Sequence, residues 1–343
     1  MENIQIEKFI ISRDDSIMEG WPDMIRLHSG KLLIIYNECI AHTNRNHTRI
    51  TLRTSDDNGI TWSEKKYIGD ETFHGDHWNS IRVNQLSSGK IVLLCDRVIN
   101  KETNDETQMY MWESEDSGNT WSHGKKLGIH GYCSDKVREL SDGSLLLCIS
   151  VYNRITEKTE IFAHKSIDSG KTWSQRIPVA SSPYRTFIEP ATLQLSDGTV
   201  AVFIRENSLK GYCGFVALSH DGGNSFDCLK EFPVKGMHRP FVGNLCDGRI
   251  LLSYREHLGG SGSVYPNLKM VIFNEDDVKS SDIRSLRSYL IDCDRADKSD
   301  QGYSAWAQLE TGELVMANYI TDDAPRAYIR GYNIRFTEDG KND

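Results

Sequence analysis

The sequence is short of everything that would place it in a membrane, on a nucleic acid or around a structural metal. No run approaches the ~20 apolar residues needed to span a bilayer. The opening residues Met1-Glu2-Asn3-Ile4-Gln5-Ile6-Glu7 carry neither a basic region nor a long apolar stretch, so no secretory leader is expected. Eight cysteines (Cys39, Cys95, Cys133, Cys148, Cys213, Cys228, Cys246, Cys293) are scattered without any Cys-x-x-Cys spacing. Cys95 and Cys148 sit inside apolar runs, where a free thiol acts as a small hydrophobe. The expectation is a reduced, cytoplasmic protein with no structural zinc and no cofactor. Basic residues are in the minority: 40 Lys and Arg face 49 Asp and Glu, giving a net charge of −9. That balance argues against nucleic acid or an anionic membrane surface as partner. A local cluster of Arg remains able to hold an acidic ligand. Helical periodicity is also missing, apart from a short turn near Ser280–Tyr289. The oligomeric state is left open.

What the chain has instead is repetition. Ser166-Ile167-Asp168-Ser169-Gly170-Lys171-Thr172-Trp173 is one of four copies of a single pattern. Two earlier copies run Ser55 to Trp62 and Ser114 to Trp121, and a worn one runs Ser219 to Phe226. The starts at 55, 114, 166 and 219 lie 52 to 59 residues apart. Each fixed position of Ser-x-Asp-x-Gly-x-Thr-Trp has a reason to be in a turn. The carboxylate accepts N–H groups just after it, Gly supplies a positive φ, and Trp covers the turn. A period of this length belongs to stacked or radial β units.

A second repeat interleaves with the first. Apolar strands end in Leu-x-x-Gly at Gly30, Gly89, Gly143, Gly198, Gly248 and Gly312, each followed by a second apolar run such as Leu32-Leu33-Ile34-Ile35-Tyr36. Six hairpins, with a third strand and an outer strand around each Asp turn, predict an all-β, six-bladed β-propeller with four-stranded antiparallel blades. One domain is expected over residues 1–343, although the length alone allows two. The fifth unit keeps a trace of the turn at Asn274-Glu275-Asp276-Asp277, and the sixth has none. The last strand, near Ala327–Phe336, is expected to be joined by Ile4–Ile11, closing the ring.

Asp turns of this kind in a six-bladed chain resemble the Asp boxes, or BNR repeats, of the sialidase (neuraminidase) superfamily, over nearly the whole sequence. The turn marks the fold and lies on the outer rim, so activity has to be sought where the innermost strands begin. Nine residues before each hairpin Gly stand Trp21, Ser80, Ser134, Glu189, Arg239 and Tyr303. Around them lie Asp23, His77, Asn79, Asp135, His238 and Ser304, and the second strands end in Glu38, Arg97, Arg205, Arg255 and Tyr319. Such a gathering of Arg, His, Glu and Tyr at one mouth points to a ligand site. By the resemblance, Glu189 with Arg205 matches the family's Glu and second carboxylate-binding Arg, and Tyr303 its nucleophilic Tyr. The chemistry is coherent. A sialic acid carries a carboxylate on its anomeric carbon, which repels an anionic nucleophile. A neutral Tyr deprotonated by Glu avoids that repulsion.

The departures are specific. Trp21-Pro22-Asp23 stands where the family has its first clamp Arg, and Tyr265-Pro266-Asn267-Leu268-Lys269 where it has the third. The loop Ala41–His47, where the family's acid/base Asp falls, holds no carboxylate. Arg239 or Arg255 is expected to complete the clamp with Arg205, and Asp76, Asp23 or His77 to donate the proton. Trp21, Asp135 and His238 complete the expected substrate lining. A metal held by His74, Asp76 and His77 has no fourth ligand and is not expected. Three readings stay open: an exo-acting hydrolase of an acidic or sialic-acid-like sugar, a uronate-cleaving lyase, and a non-catalytic glycan-binding propeller.

Overall fold

The computed structural model describes residues 2–338, apart from 73–75, 100–106, 261–266, 281–282 and 284. It is a six-bladed propeller. In the first sheet the strands Met18–Arg26, Leu32–Ala41, Asn44–Ser55 and Lys66–Thr72 run antiparallel from axis to rim. The ring closes as the sequence predicts. Glu2–Ser12 pairs with Tyr328–Glu338 as the rim strand of the sixth sheet, with Ile4 opposite Phe336 and Lys8 opposite Tyr332. First and last residues of the fold thereby share one blade.

The apolar second strands are buried on both faces, and alternation decides which neighbour each residue meets. Leu32, Ile34 and Tyr36 pack toward the sixth blade with Ala305, Val315 and Ala317, while Leu33 and Ile35 pack toward the second with Val83 and Leu93. The same alternation in Val200–Glu206 sends Val202 and Ile204 one way and Ala201 and Phe203 the other. Among the described residues, six such apolar clusters fill the gaps between neighbouring blades. The core is thus a ring of interfaces around a polar axis.

The four Asp turns have the same internal wiring. Asp57, Asp116, Asp168 and Asp221 each accept the backbone N–H four residues on at 2.9 Å. Each also accepts the hydroxyl of that residue and of the Ser two residues back. Trp62 and Trp121 donate their indole N–H to the turn carbonyls of Gly59 and Gly118, at 3.1 and 3.2 Å. These hydrogen bonds, led by the one from the Thr or Ser hydroxyl, hold each carboxyl at about 2. A depressed value in the fold means stability that is complete above the ordinary value near 3.8 and lost as pH falls toward 2. The stability gap between the wild type and an Asp57→Asn, Asp116→Asn, Asp168→Asn variant should therefore narrow from pH 4 to pH 2 in urea titrations. A gap that stays constant over that range would contradict the wiring.

Three local features depart from the sequence reading. The trace of a fifth Asp turn is a one-turn helix, Glu275–Lys279, in which Asp277 accepts the N–H of Asn274 at 3.0 Å. Three acidic residues in that first turn favour the helix over the open turn. Of the helical turn expected near Ser280–Tyr289, Arg287–Cys293 is strand, and residues 281, 282 and 284 lie outside the described set. The innermost strand of the second blade is split into His77–Trp78 and Arg82–Gln85. In the gap, buried Asp96 accepts Ser80 N–H at 2.9 Å and the Asn79 side chain at 2.8 Å, replacing ladder bonds.

Candidate active site

Four of the six axial residues have a left-handed backbone: Trp21 (φ 57°), Glu189 (56°), Arg239 (51°) and Tyr303 (52°). At each of them the ladder to the second strand slips, between Gly20 and Asp23, Ile188 and Pro190, His238 and Phe241, and Gly302 and Ala305. These are β-bulges, which bend a strand and re-aim a side chain. A left-handed backbone costs a residue with a Cβ roughly 1–2 kcal/mol, and packing has to hold it. Pro22, Pro190 and Pro240 follow three of the four, and a residue without an N–H is accommodated where the ladder is broken. The bulges turn the four side chains inward.

There they meet. Tyr303 Oη donates to Glu189 Oε1 at 2.5 Å, and Arg205 Nη1 donates to Glu189 Oε2 at 2.8 Å. Arg255 Nη2 stands 3.9 Å from Glu189 Oε1. The guanidinium carbons of Arg239 and Arg255 each lie 4.8 Å from the Tyr303 ring centroid, with Arg82 at 5.8 Å. Arg239 spans the axis from the fifth blade, donating at 3.1 Å to Ser80 Oγ and to the Ser134 carbonyl. Gly302 is required for this packing. At φ 126° a Cβ on it would fall 2.4 Å from Arg255 Cδ, so any side chain would displace that Arg from beneath Tyr303.

The electrostatics assign the protons. Burial opposes charge on Glu189, but Arg205 and Arg255, with the Tyr303 hydrogen bond, outweigh it and hold the carboxyl below its ordinary value. Burial, then the charge of Glu189, pushes the Tyr303 phenol well above its own. The resting pair is a neutral phenol hydrogen-bonded to a carboxylate. Beside it His238 stacks on His257 with centroids 4.8 Å apart. Burial, then Arg205 and Arg255, drives the His238 pKa far down, so this imidazole is neutral.

Of the residues named from the sequence, Tyr303, Glu189, Arg205, Arg239 and Arg255 thus form one cluster, with His238 at its edge. Trp21 packs in the same apolar cluster as Tyr303. Asp23 and Asp135 depart from expectation. Asp23 is fully buried and accepts Val83 N–H of the second blade at 2.8 Å and Met24 N–H at 2.9 Å, and it pairs with Lys136 at 2.9 Å. Asp135 accepts Thr192 N–H of the fourth blade at 2.6 Å and Arg138 Nε at 3.3 Å. Both are spent on holding neighbouring blades in register, which corrects their assignment to substrate or proton donation. Asp76 is paired with Arg97 at 3.0 Å, and His77 faces a cleft at the mouth. His74 lies outside the described residues. Among those described, no three His, Cys, Asp or Glu side chains gather as metal ligands, and no helix is long and apolar enough to cross a membrane.

The sequence reading passed over Asp300. It accepts Tyr319 Oη at 2.7 Å and lies 2.8 Å from His42 Nδ1. Tyr319 Oη is in turn 3.4 Å from Arg255 Nη1. Arg45 lies 3.9 Å over the Trp21 ring and hydrogen-bonds Asn79. The available signal was proximity: Asp300 stands three residues before Tyr303.

A sequence model described as a BNR repeat-like domain matches residues 68–316. No curated protein matches. Among solved structures, a protein of unknown function from Dyadobacter fermentans superposes with a TM-score of 0.80 at 21% identity, over 97% of this chain and 99% of that one. The NanB sialidase of Streptococcus pneumoniae, as its K499G mutant, gives 0.71 at 16% identity, over 95% of this chain and 70% of its own. An α-L-arabinanase of Penicillium chrysogenum, complexed with arabinobiose, gives 0.66 at 15% identity, over 96% and 97%. At these identities the likeness is one of fold.

Proposed function

From a chain that belongs to the BNR repeat-like family, and whose sialidase-like propeller gathers these side chains at its axis, we infer a glycoside hydrolase acting on an acidic, sialic-acid-like sugar. The observation that carries this reading is the Tyr303 phenol, hydrogen-bonded to the Glu189 carboxylate and ringed by Arg205, Arg239 and Arg255. Three guanidinium groups around one carboxylate leave positive charge for a second anion, and a sugar carboxylate fits it with charge-assisted bonds. Tyr303 Oη attacks the anomeric carbon while its proton passes to Glu189, so no anion approaches the substrate carboxylate. Water then releases the sugar, and Glu189 returns the proton to Tyr303.

The test is a panel of 4-nitrophenyl glycosides carrying sialic acid, glucuronic acid or neutral sugars. Cleavage confined to the acidic members is expected. Cleavage of neutral members alone would overturn the reading. Release of an unsaturated, ultraviolet-absorbing product from uronate oligosaccharides would replace it with the lyase. Tight glycan binding without turnover would replace it with a binding module. The lyase is the weaker fit because the group hydrogen-bonded to Tyr303 Oη is the Glu189 carboxylate.

A further inference from the structure

The axial cluster supplies a nucleophile, its base and an anion clamp, but none of these groups is free to protonate a leaving group. Glu189 is held ionised by Arg205 and Arg255, and Tyr303 is committed to Glu189. Asp23 is enclosed between blades and Asp76 is tied to Arg97. The leaving group, in an exo-acting site, points from the axis toward solvent. A cleft of about 400 Å³ lined by His42, Arg45, His77 and Asn79 adjoins Trp21, which packs with Tyr303.

His42 enters that cleft in a defined orientation. Its Nδ1 faces Asp300 Oδ2 at 2.8 Å, and its ring meets the edge of Trp21 at 5.1 Å. Asp300 is itself fixed by Tyr319 Oη donating to its carboxylate at 2.7 Å, by Thr321 Oγ1 donating to its carbonyl at 3.4 Å, and by its own N–H donating to Asp294 Oδ2 at 2.9 Å. Burial opposes its charge, but the hydrogen bonds from His42 and Tyr319 hold the carboxyl below its ordinary value. A carboxylate that accepts from Nδ1 sets the imidazole tautomer and leaves Nε2 as the group that takes and gives the proton. The titratable and charged groups around this pair are Arg45, which donates to the His42 carbonyl, Arg326 of the sixth blade, which donates to the Ile40 carbonyl, His77 across the cleft, and Arg255 behind Tyr319.

We propose that His42 is the proton donor to the leaving group and that Asp300 is its positioning residue, an assignment that rests on the hydrolase reading above. In the first step the imidazolium Nε2–H protonates the glycosidic oxygen as its bond to the anomeric carbon breaks. The bonding pair goes to that oxygen while Tyr303 Oη closes on the carbon and its own proton moves to Glu189. In the second step neutral His42 takes a proton from water as the water oxygen attacks the same carbon. Tyr303 leaves and recovers its proton from Glu189. Every proton is returned, and no further reactant is needed.

Leaving-group dependence separates this role from a structural one. A 4-nitrophenolate leaves unassisted, whereas a sugar alkoxide needs the proton. His42→Gln and Asp300→Asn are to be assayed on 4-nitrophenyl sialoside and sialyllactose, or on 4-nitrophenyl and methyl glucuronide if the panel selects the uronate. A general acid contributes about 10²–10⁴-fold, so in kcat/KM, which reports the first step alone, a loss of that size on the alkyl substrate with a loss below ~10-fold on the aryl one is expected. Equal losses in kcat/KM on both substrates would overturn the donor role while leaving the hydrolase intact. The two variants check each other should one fail to fold, as judged by circular dichroism. A wild type inactive on every acidic glycoside overturns the hydrolase reading itself, and the donor role with it.

Discussion

Tyr303→Phe should abolish glycoside cleavage while leaving the fold and ligand binding in place. The substitution removes one oxygen from a ring whose centroid lies 4.8 Å from both the Arg239 and the Arg255 guanidinium carbon, so the packing that keeps φ at 52° survives. It also removes the atom that forms the covalent bond. Residues that act as one chemical unit fail together, and loss of a nucleophile elsewhere costs on the order of 10⁶ in turnover; here a fall of at least ~10⁴ is expected. Glu189→Gln should lose about 10²–10⁴-fold, the usual worth of a positioned base. The double variant should be no worse than Tyr303→Phe alone. The pH profile carries the same information. Because Arg205 and Arg255 hold Glu189 below its ordinary value, the carboxylate is present throughout neutral and mildly acidic solution. The acid limb of kcat/KM should therefore fall below about pH 4.3, the ordinary value for Glu. Undiminished activity in Tyr303→Phe would refute the mechanism.

Asp23→Ala should be the most destabilising single change at the axis, and its effect should be on stability first. The carboxylate ties the first blade to Val83 of the second, and it is the acidic partner of Lys136, whose side chain is only 4% exposed. Burial already draws the Lys136 ammonium down to about 8 against the pull of Asp23. Truncation removes Oδ1 from Lys136 Nζ and Met24 N–H and Oδ2 from Val83 N–H, leaving all three buried without that carboxylate. Removing one partner of a buried pair costs about 3–5 kcal/mol. The urea midpoint should fall accordingly with the slope unchanged. Asp23→Asn, which keeps one acceptor, should cost less. A stable Asp23→Ala protein with lost activity would return Asp23 to the chemistry, where the sequence reading had put it.

That contrast marks how far the sequence is legible. The blade count, the ring closure by Glu2–Ser12 and the axial register follow from two interleaved repeats, because turn chemistry and period-2 burial are local. The cluster of Tyr303, Glu189 and Arg205 was also readable, since hairpin glycines count back to the strand ends. Asp23 and Asp135 were misassigned because a carboxylate beside the axis looks the same in sequence whether it faces a ligand or the next blade. Only the Val83 and Thr192 N–H partners, 60 and 57 residues away, decide the matter. Asp300 was missed for the converse reason. Its partner His42, 258 residues distant, is brought to it by ring closure, and Tyr319, 19 residues on, by the hairpin of the sixth blade that pairs Gly302 with Tyr319. The bulges had a visible trace in Trp21-Pro22, Glu189-Pro190 and Arg239-Pro240, although Tyr303 achieves the same backbone without a proline.

The central claim is that Tyr303 bonds covalently to an acidic sugar, and trapping that bond tests it most directly. A 3-fluorosialyl fluoride carries a good leaving group and a fluorine that slows the second step, so the glycosyl-enzyme should accumulate. After incubation, intact mass should rise by one sugar residue per chain, and peptide mapping should place the label on Tyr303, with none formed in Tyr303→Phe. A label on another residue, or turnover of the probe without any label, would contradict the account.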